Sequence, residues 1–281
     1  MMLRGVKKIV KGQKTQDGAG VHLVRVISRP DVVDFDPFLM LDAFDSYNPE
    51  DYIKGFPWHP HRGIETVTYL IQGDIEHGDS LGNKGSILDG GCQWMTAGGG
   101  ILHQEMPQAC ERMLGVQLWL NLPAKDKMTR PQYREIVADN VPKVVKDGLT
   151  VGVISGEYDG VSGAVHGDYV KMKFLDVELE KNVEFDLVTN SEDNLFIYTV
   201  YGSGLVNENT VDAKSGVLFE AGDHFKLTAL EDGLRFLLFA GKPLKEPIAW
   251  GGPIVMNTRD ELNQAFQDLE DGNFIRKDVI L

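Results

Sequence analysis

The sequence predicts an all-β protein with two successive β-barrels or sandwiches and one helix near its end. Short segments rich in β-branched and aromatic residues recur along the chain, and glycine or proline turns separate them. A stretch rich in lysine, aspartate and proline, residues 125–148, divides this series and is expected to be an interdomain connection. We therefore predict two domains, residues 1–134 and residues 135–281.

Composition and charge narrow the class of protein. The chain has 281 residues, 42% of them hydrophobic, and 31 glycines, which is typical of a turn-rich globular protein. Its net charge of −14 argues against direct nucleic-acid binding through a broad basic surface. No apolar run has the length of a membrane span or of a signal peptide, so we expect a cytoplasmic protein with no membrane partner. Cys92 and Cys110 are expected to be reduced thiols.

The elements of the first half follow from alternation or from continuous apolar runs. Residues 1–14 carry five basic side chains and are expected to form a solvated first strand. The segment from Asp74 to Gly85 is expected to be a loop or hairpin, with His77 as an exposed loop histidine rather than a pocket-rim residue. His22 is expected on a polar strand face. The predicted strands are 21–27, 36–44, 64–71, 90–96 and 114–122.

The second half repeats this pattern and then ends in a helix. Its only histidines, His166 and His224, do not have the spacing of a ligand pair, so no metal is expected there. Its role is expected to be structural or to lie in binding a partner. The predicted strands are 149–155, 169–179, 195–201, 216–219 and 234–240.

The clearest helix signal begins at Thr258. Thr258 and Glu261 have the spacing of a capping box, and Gly272 suits the C-terminal cap. An apolar stripe of helical period follows the cap and favours packing on a barrel over binding a partner. The stripe consists of Leu262, Ala265, Phe266 and Leu269.

Two pairs of polar residues stand out in the first half, His59 with His61 and His103 with Glu105. Each pair has spacing i, i+2, which places both side chains on one face of an extended strand. Pro60 disfavours helix at His59. If the two strands lie side by side, three imidazoles and one carboxylate converge.

This set of groups suits a divalent transition metal. Imidazole binds Fe, Mn, Ni, Cu or Zn, and the carboxylate adds a hard oxygen and a negative charge. Four protein ligands on an octahedral ion leave two positions for substrate and for dioxygen or water. One His-x-His pair is weak evidence because histidines also occupy core and turn positions, whereas two such pairs in glycine-punctuated strands favour a metal site.

Several motifs resemble those of the pirin family, which belongs to the cupin superfamily. The match runs nearly from end to end. The stretches that carry it are HPHRG-x-ET at 59–66, QWMTAG-x-GI-x-H-x-E-MP at 93–107, and shorter ones at 118–122, 131–133, 153–156 and 252–258. The resemblance implies a bicupin, that is, two antiparallel jelly-roll β-barrels face to face, with the metal in the N-terminal one.

The resemblance also implies a ligand set. The ligands would be His59, His61, His103 and Glu105. In many cupins the glutamate soon after His-x-His is a ligand, which here would be Glu65; in pirins that role passes to the second motif, and Glu65 would be a supporting group. Gly98 stands where cupins usually have proline, and this departure is itself similar to pirins.

Some pirins are similar in site and activity to quercetin 2,3-dioxygenase, so the resemblance implies a dioxygenase that cleaves a flavonol, with Fe(II) as the first expectation for the metal. Glu105 would be the catalytic base, and a small aromatic substrate and dioxygen would be the partners.

Phe56, Trp94 and Met106 are candidates for pocket walls or for core packing. The alternatives are a metal-binding regulator of a transcription factor or metabolic enzyme, and a cupin metalloenzyme with a non-flavonoid substrate.

Overall fold

The computed structural model describes residues 2–275, which are mostly β-structure. The strands of the first half are β1 (Val6–Lys11), β2 (Gln13–Asp17), β3 (Val21–Ile27), β4 (Phe38–Ser46), β5 (Phe56–His61), β6 (Ile64–Gln72), β7 (Ile75–Asp79), β8 (Lys84–Ile87), β9 (Cys92–Thr96), β10 (Ile101–Pro107), β11 (Met113–Asn121) and β12 (Gln132–Ile136). The strands of the second half are β13 (Lys143–Lys146), β14 (Leu149–Ser155), β15 (Glu157–Tyr158), β16 (Val161–Ser162), β17 (Lys173–Leu179), β18 (Glu184–Val188), β19 (Asn194–Val206), β20 (Asn209–Asp212), β21 (Ser215–Phe219), β22 (His224–Gly241), β23 (Ala249–Gly251) and β24 (Ile254–Met256). The α-helices are α1 (Val32–Phe35) and α2 (Arg259–Glu270), and short 3-10 helices lie at Arg29–Asp31, Pro49–Asp51, Ala124–Asp126 and Ala138–Asn140. The predicted all-β class with a C-terminal helix is confirmed.

The chain forms two compact units, and each unit is assembled from separate stretches. The first, called here the histidine unit, comprises residues 14–25, 38–138 and 244–281. The other, called here the second unit, comprises residues 1–13, 26–37 and 139–243. Strand pairing accounts for part of this division, because β1 is antiparallel to β21, with Val10 opposite Gly216. The domain boundary between residues 134 and 135 stays a prediction.

The histidine unit contains two large antiparallel sheets and a small one formed by β23 and β24. The seven-stranded sheet has the order β12-β9-β6-β11-β4-β3-β2, and the four-stranded sheet has the order β5-β10-β7-β8. Apolar side chains from both sheets form one core, which buries the inner face of each. This core contains Val21, Leu23, Phe44, Tyr52, Leu70, Ile75, Ile87 and Met113.

The second unit is built on one large antiparallel sheet. Its order is β1-β21-β19-β22-β17-β14-β13, with β18 also paired to β22 and β20 to β19. Its core combines aliphatic side chains with a group of aromatic rings, in which Phe185 lies 5.5 Å from Phe236 and 6.2 Å from Phe225 between ring centroids. Arg4 is buried in this unit and donates to the carbonyl oxygens of Glu220 and Asn190.

Helix α2 belongs to the histidine unit and has the predicted capping box. The Thr258 hydroxyl accepts from the Glu261 amide, and the Glu261 carboxylate accepts from the Thr258 amide. Leu262 and Ala265 are buried, as the apolar stripe predicts. Phe266 departs from the stripe and is 37% exposed.

Two segments contain more structure than the sequence indicated. The segment from Asp74 to Gly85 is the hairpin alternative, formed by β7 and the start of β8. Residues 125–148 contain β12, which pairs with β9, and β13, which pairs with β14. Among residues 2–275, no helix combines the length and hydropathy needed to cross a bilayer.

Candidate metal centre

The two polar motifs lie on neighbouring strands. β5 and β10 are antiparallel partners in the four-stranded sheet, with His59 opposite His103 and His61 opposite Ile101. His59 and His61 point to the same side of β5 because they are two residues apart. The expected juxtaposition of the three histidines is therefore present.

The three imidazoles form a compact group. One ring nitrogen from each of His59, His61 and His103 lies within 4.8 Å of the others, a spacing that a single metal ion could bridge. The ring centroids are 4.3 Å apart for His59 and His103, and 4.9 Å apart for His61 with either of the other two. His61 and His103 are buried, whereas His59 is half-buried.

Backbone carbonyls determine which nitrogen of two histidines carries the proton. The Nδ1 atom of His59 lies 2.8 Å from the carbonyl oxygen of Pro57, and that of His61 lies 3.1 Å from the carbonyl oxygen of Pro253. A carbonyl oxygen only accepts, so each Nδ1 is the donor and each neutral ring keeps its lone pair on Nε2. These two Nε2 atoms lie 3.1 Å apart. Two facing lone pairs at this distance favour a shared cation.

His103 completes the group and has the strongest need for a ligand. It is fully buried, and within residues 2–275 neither of its ring nitrogens has a hydrogen-bond partner. Buried polar atoms without partners are costly and rare, so this ring is placed to bind something. Burial, followed by repulsion from His61, His59 and His77, holds the pKa of His103 well below its usual range. Burial also lowers the pKa of His61 to about 3. Both rings are therefore neutral, as metal binding requires, and the donor set fits a divalent transition metal.

Glu105 is buried beside the histidines, but its carboxylate is not a member of the three-histidine group. The side-chain amide of Gln117 lies 2.8 Å from each carboxylate oxygen, and the Thr68 hydroxyl donates to Oε1 at 3.1 Å. The indole of Trp119 in turn donates to the Gln117 carbonyl oxygen at 3.4 Å. Glu105 is thus held by side chains from β6 and β11.

Glu65 occupies a different environment. It is buried in β6, opposite Thr96 of β9, and its carboxylate accepts from the Thr96 hydroxyl at 2.6 Å. It does not belong to the three-histidine group either. The resemblance implied a supporting role for Glu65, and this hydrogen bond between two strands is the kind of contact such a role involves.

The prediction that His77 is an exposed loop histidine is wrong. His77 lies in β7, its residue exposure is 4%, and its ring is 5.6 Å from that of His103. It stacks on Tyr133 at 4.6 Å and contacts the side chains of Gln93 and Asp79. Alternation along β7 turns His77 inward, which the polar character of Asp74, Glu76 and Asp79 concealed in the sequence.

The segment around β24 fixes the end of β5. Lys127 is buried and its ammonium donates to the carbonyl oxygens of Gly63 and Val255, both at 2.8 Å, and to the side chain of Asn121. Burial lowers the pKa of Lys127 to about 7. Together with the carbonyl of Pro253 on His61, these bonds attach the C-terminal segment to the strand that carries two of the histidines.

Phe56, Trp94 and Met106, the candidates for pocket walls or for core packing, differ in their surroundings. Phe56 packs against the core of the histidine unit, with its ring 6.4 Å from that of Phe44. Trp94 is fully buried, and Met106 is half-buried. The ring that contacts a predicted ligand is instead Trp119, whose centroid is 5.0 Å from that of His61.

Comparison with known proteins decides the family. The family model for pirin matches residues 20–120, and the model for the pirin C-terminal cupin domain matches residues 174–275. Over 277 residues the chain is 47% identical to a pirin-like protein of Caulobacter vibrioides, covering 98% of this chain and 100% of that protein.

The chain belongs to the pirin family of the cupin superfamily. It is 40% identical over 267 residues to pirin of Homo sapiens, covering 92% of this chain and 90% of that one. Its fold is similar to the crystal structure of quercetin 2,3-dioxygenase from Acinetobacter baumannii, with a TM-score of 0.89 and 33% identity over 97% of this chain and 98% of the other. The predicted family is confirmed.

Two residues that bind Glu105, Thr68 and Gln117, were not identified by the sequence analysis. Thr68 and Gln117 are directly opposite each other on β6 and β11, and Gln93 is opposite Thr68 on β9. The signal that could have identified Thr68 and Gln117 is a polar residue at an inward position of an otherwise apolar strand.

Proposed function

We propose that this pirin-family protein is a metal-dependent dioxygenase that cleaves a flavonol such as quercetin. The observation that carries the proposal is the convergence of three imidazoles, those of His59, His61 and His103, near a buried carboxylate. The similarity of fold and sequence to the Acinetobacter baumannii quercetin 2,3-dioxygenase supports the choice of reaction.

The metal would be held by His59 and His61 through Nε2, by His103, and by Glu105 as the fourth ligand. The donor set of imidazole nitrogens and one carboxylate favours Fe(II) first, with Mn, Ni, Cu and Zn as alternatives. When bound, such an ion would supply Lewis acidity toward the flavonol oxygens and electron exchange with dioxygen.

The chain's own contribution is the handling of one proton. Glu105 accepts the proton of the flavonol 3-hydroxyl as general base and later returns it to the carboxylic acid product. Gln117 and Thr68 keep the carboxylate oriented for this transfer. The overall reaction is balanced: one flavonol and one dioxygen give one depside and one carbon monoxide, as bonds at ring carbons C2–C3 and C3–C4 break.

The surroundings also restrict water. Trp119 is only 8% exposed and its ring lies edge-on to His61. An aromatic substrate could pack against this indole, since aromatic pairs favour such offset or edge geometries. Exclusion of water would strengthen every polar interaction at the site.

Oxygen consumption tests the proposal directly. The protein is purified anaerobically, its metals are measured by elemental analysis, and oxygen uptake is then followed with and without quercetin for protein loaded with Fe, Mn, Ni or Cu. We expect metal-dependent oxygen uptake that matches the loss of quercetin absorbance. If no metal supports turnover, the dioxygenase proposal fails and a metal-binding regulator becomes the better account. Metal-dependent oxygen uptake with other substrates but not quercetin would indicate another cupin metalloenzyme.

A further inference from the structure

The outer face of the four-stranded sheet carries a cleft that the metal site does not use. Side chains alternate along β10, so Gln104 points away from the face that carries His103 and Glu105. On the neighbouring strand β7, Gly78 is opposite Gln104, and on β8, Lys84 is opposite Gly78. These residues form a row across the sheet on the side away from the histidines.

Gly78 is a buried glycine in this row. A Cβ atom at Gly78 would lie 3.5 Å from the amide nitrogen of Gln104 and 3.9 Å from the tip of the Trp58 ring. The side chains of Gln104 and Trp58 therefore meet above Gly78, which brings the indole next to the amide. Trp58 is 55% exposed, which is unusual for the residue type that gains most from burial.

The cleft beside Gly78 has a volume of about 570 Å³, within the range of small-molecule sites. Its lining residues include Trp58, Glu76, Lys84, Ser86 and Gln104. Glu76 and Ser86 are opposite each other on β7 and β8, one step along from the row. A ring bound in the cleft would therefore meet the indole of Trp58, an amide, a hydroxyl and the opposite charges of Glu76 and Lys84.

The polar groups of the cleft are free to bind a ligand. Within the described part of the chain, the side chains of Glu76, Lys84, Ser86 and Gln104 make no hydrogen bond or ion pair with other protein groups. Together these four side chains offer both hydrogen-bond donors and hydrogen-bond acceptors. The charges of Glu76 and Lys84 are opposite in sign.

We propose that this cleft binds a neutral carbohydrate, with one pyranose ring seated on the indole of Trp58. A pyranose has an apolar C–H face that packs on an aromatic ring, and a rim of hydroxyls that both donate and accept hydrogen bonds. The amide of Gln104, the carboxylate of Glu76 and the ammonium of Lys84 surround that rim. An anionic ligand is disfavoured because Glu76 offsets Lys84, and a purely aromatic ligand would leave these polar groups without partners.

Binding is tested on the full chain by saturation-transfer NMR and calorimetry. The probes are maltose and cellobiose as free sugars, phenyl β-glucopyranoside as a sugar attached to an aromatic group, and phenol as the aromatic group alone, each up to about 20 mM. We expect at least one of the three sugars to bind and phenol not to bind. Binding of a free disaccharide identifies free glycans as the source, whereas binding of the phenyl glucoside alone identifies glycosides.

Substitutions then locate the site. Trp58→Ala should weaken sugar binding by about tenfold or more. Gly78→Val should do the same because its larger side chain would displace Gln104 and Trp58, and a β-branched residue suits a strand. Leu88→Ala is the matched control, because Leu88 is also 55% exposed in the histidine unit but does not line the cleft. Thermal unfolding verifies that each variant is folded.

Three results would overturn the proposal. One is that none of the sugars binds the wild type. Another is that phenol binds as well as the phenyl glucoside, which would make the cleft an aromatic site. The last is that a folded Trp58→Ala and a folded Gly78→Val both bind sugar with wild-type affinity.

Discussion

The two units share antiparallel β architecture but bury different chemistry. The core of the second unit is a continuous set of aliphatic and aromatic side chains, among them Phe185, Phe225 and Phe236. The histidine unit is also built of antiparallel sheets, but it buries polar residues. They include His61, Thr68, His77, Gln93, His103, Glu105 and Gln117.

The interior of the second unit therefore contributes stability, whereas the interior of the histidine unit also contains groups that can bind a ligand. An apolar interior gains free energy from burial without requiring partners, whereas each buried polar group needs a hydrogen bond or a ligand. In the histidine unit most of these groups bind one another, as Thr68 and Gln117 bind Glu105. Among the described residues of this set, His103 differs because neither of its ring nitrogens has a hydrogen-bond partner, whereas Gln93 lacks a partner only at its carbonyl oxygen. The two nitrogens of His103 therefore indicate where a metal would bind.

The largest expected effect comes from removing the proposed base. Glu105→Gln keeps the size of the side chain but removes its charge and its capacity to accept a proton. Flavonol cleavage at matched metal occupancy should fall by ~10²–10⁴-fold, the usual cost of losing general-base catalysis. Quercetin absorbance measures the rate. Glu65→Gln is the control and should change stability more than turnover. Wild-type turnover by Glu105→Gln would show that Glu105 is not the base.

Next in size is the loss of the group that orients Glu105. Gln117→Leu removes both hydrogen bonds to the carboxylate while nearly keeping the volume. Partners of this kind typically contribute about 10–100-fold to metal affinity or activity, so metal titration and turnover should show a loss of that order. Gln93→Leu removes a buried amide from β9 that contacts His77 rather than Glu105, and it should have a smaller effect on turnover. Equal losses in both variants would assign Gln117 a structural role.

Much of the fold and the histidine pairs could be predicted because their signals are local. The His-x-His spacing, strand alternation and the capping box at Thr258 each depend on a few neighbouring residues. The polar support of Glu105 could not be predicted in the same way. Thr68 and Gln117 meet only through the register of β6 against β11, 49 positions apart. The pairing of β1 with β21 is more distant still, and no local pattern indicates it.

Low pH should destabilise the metal-free protein through the buried histidines of the histidine unit. The folded-state pKa values of His61 and His103 are lowered by burial, that of His61 from 6.5 to about 3. The unfolded chain therefore binds protons that the folded chain does not, and the free energy of unfolding should decrease as pH falls through this window, by up to ~1.4 kcal/mol per pH unit for each histidine. Urea unfolding at several pH values measures the slope. His61→Gln should have a shallower slope, and an unchanged slope would contradict the assignment.

The smallest effect is expected in the second unit. Phe185→Leu replaces one aromatic side chain of the apolar core cluster with a smaller one, so the free energy of unfolding should fall by about 1 kcal/mol. Metal content and quercetin turnover should not change, because no predicted ligand lies in this unit. Chemical denaturation and elemental analysis measure the two properties. A loss of metal in folded Phe185→Leu protein would show that metal binding also depends on the core of the second unit.

The number of metal ions per chain tests the central claim most directly. Washed wild-type protein, loaded anaerobically with Fe(II) and measured by elemental analysis, should contain close to one ion per chain. His61→Ala should retain almost none, because it removes one of three imidazoles, whereas His224→Ala in the second unit should retain the full amount. Two ions per wild-type chain, or full occupancy in His61→Ala, would contradict a single metal site built on His59, His61 and His103.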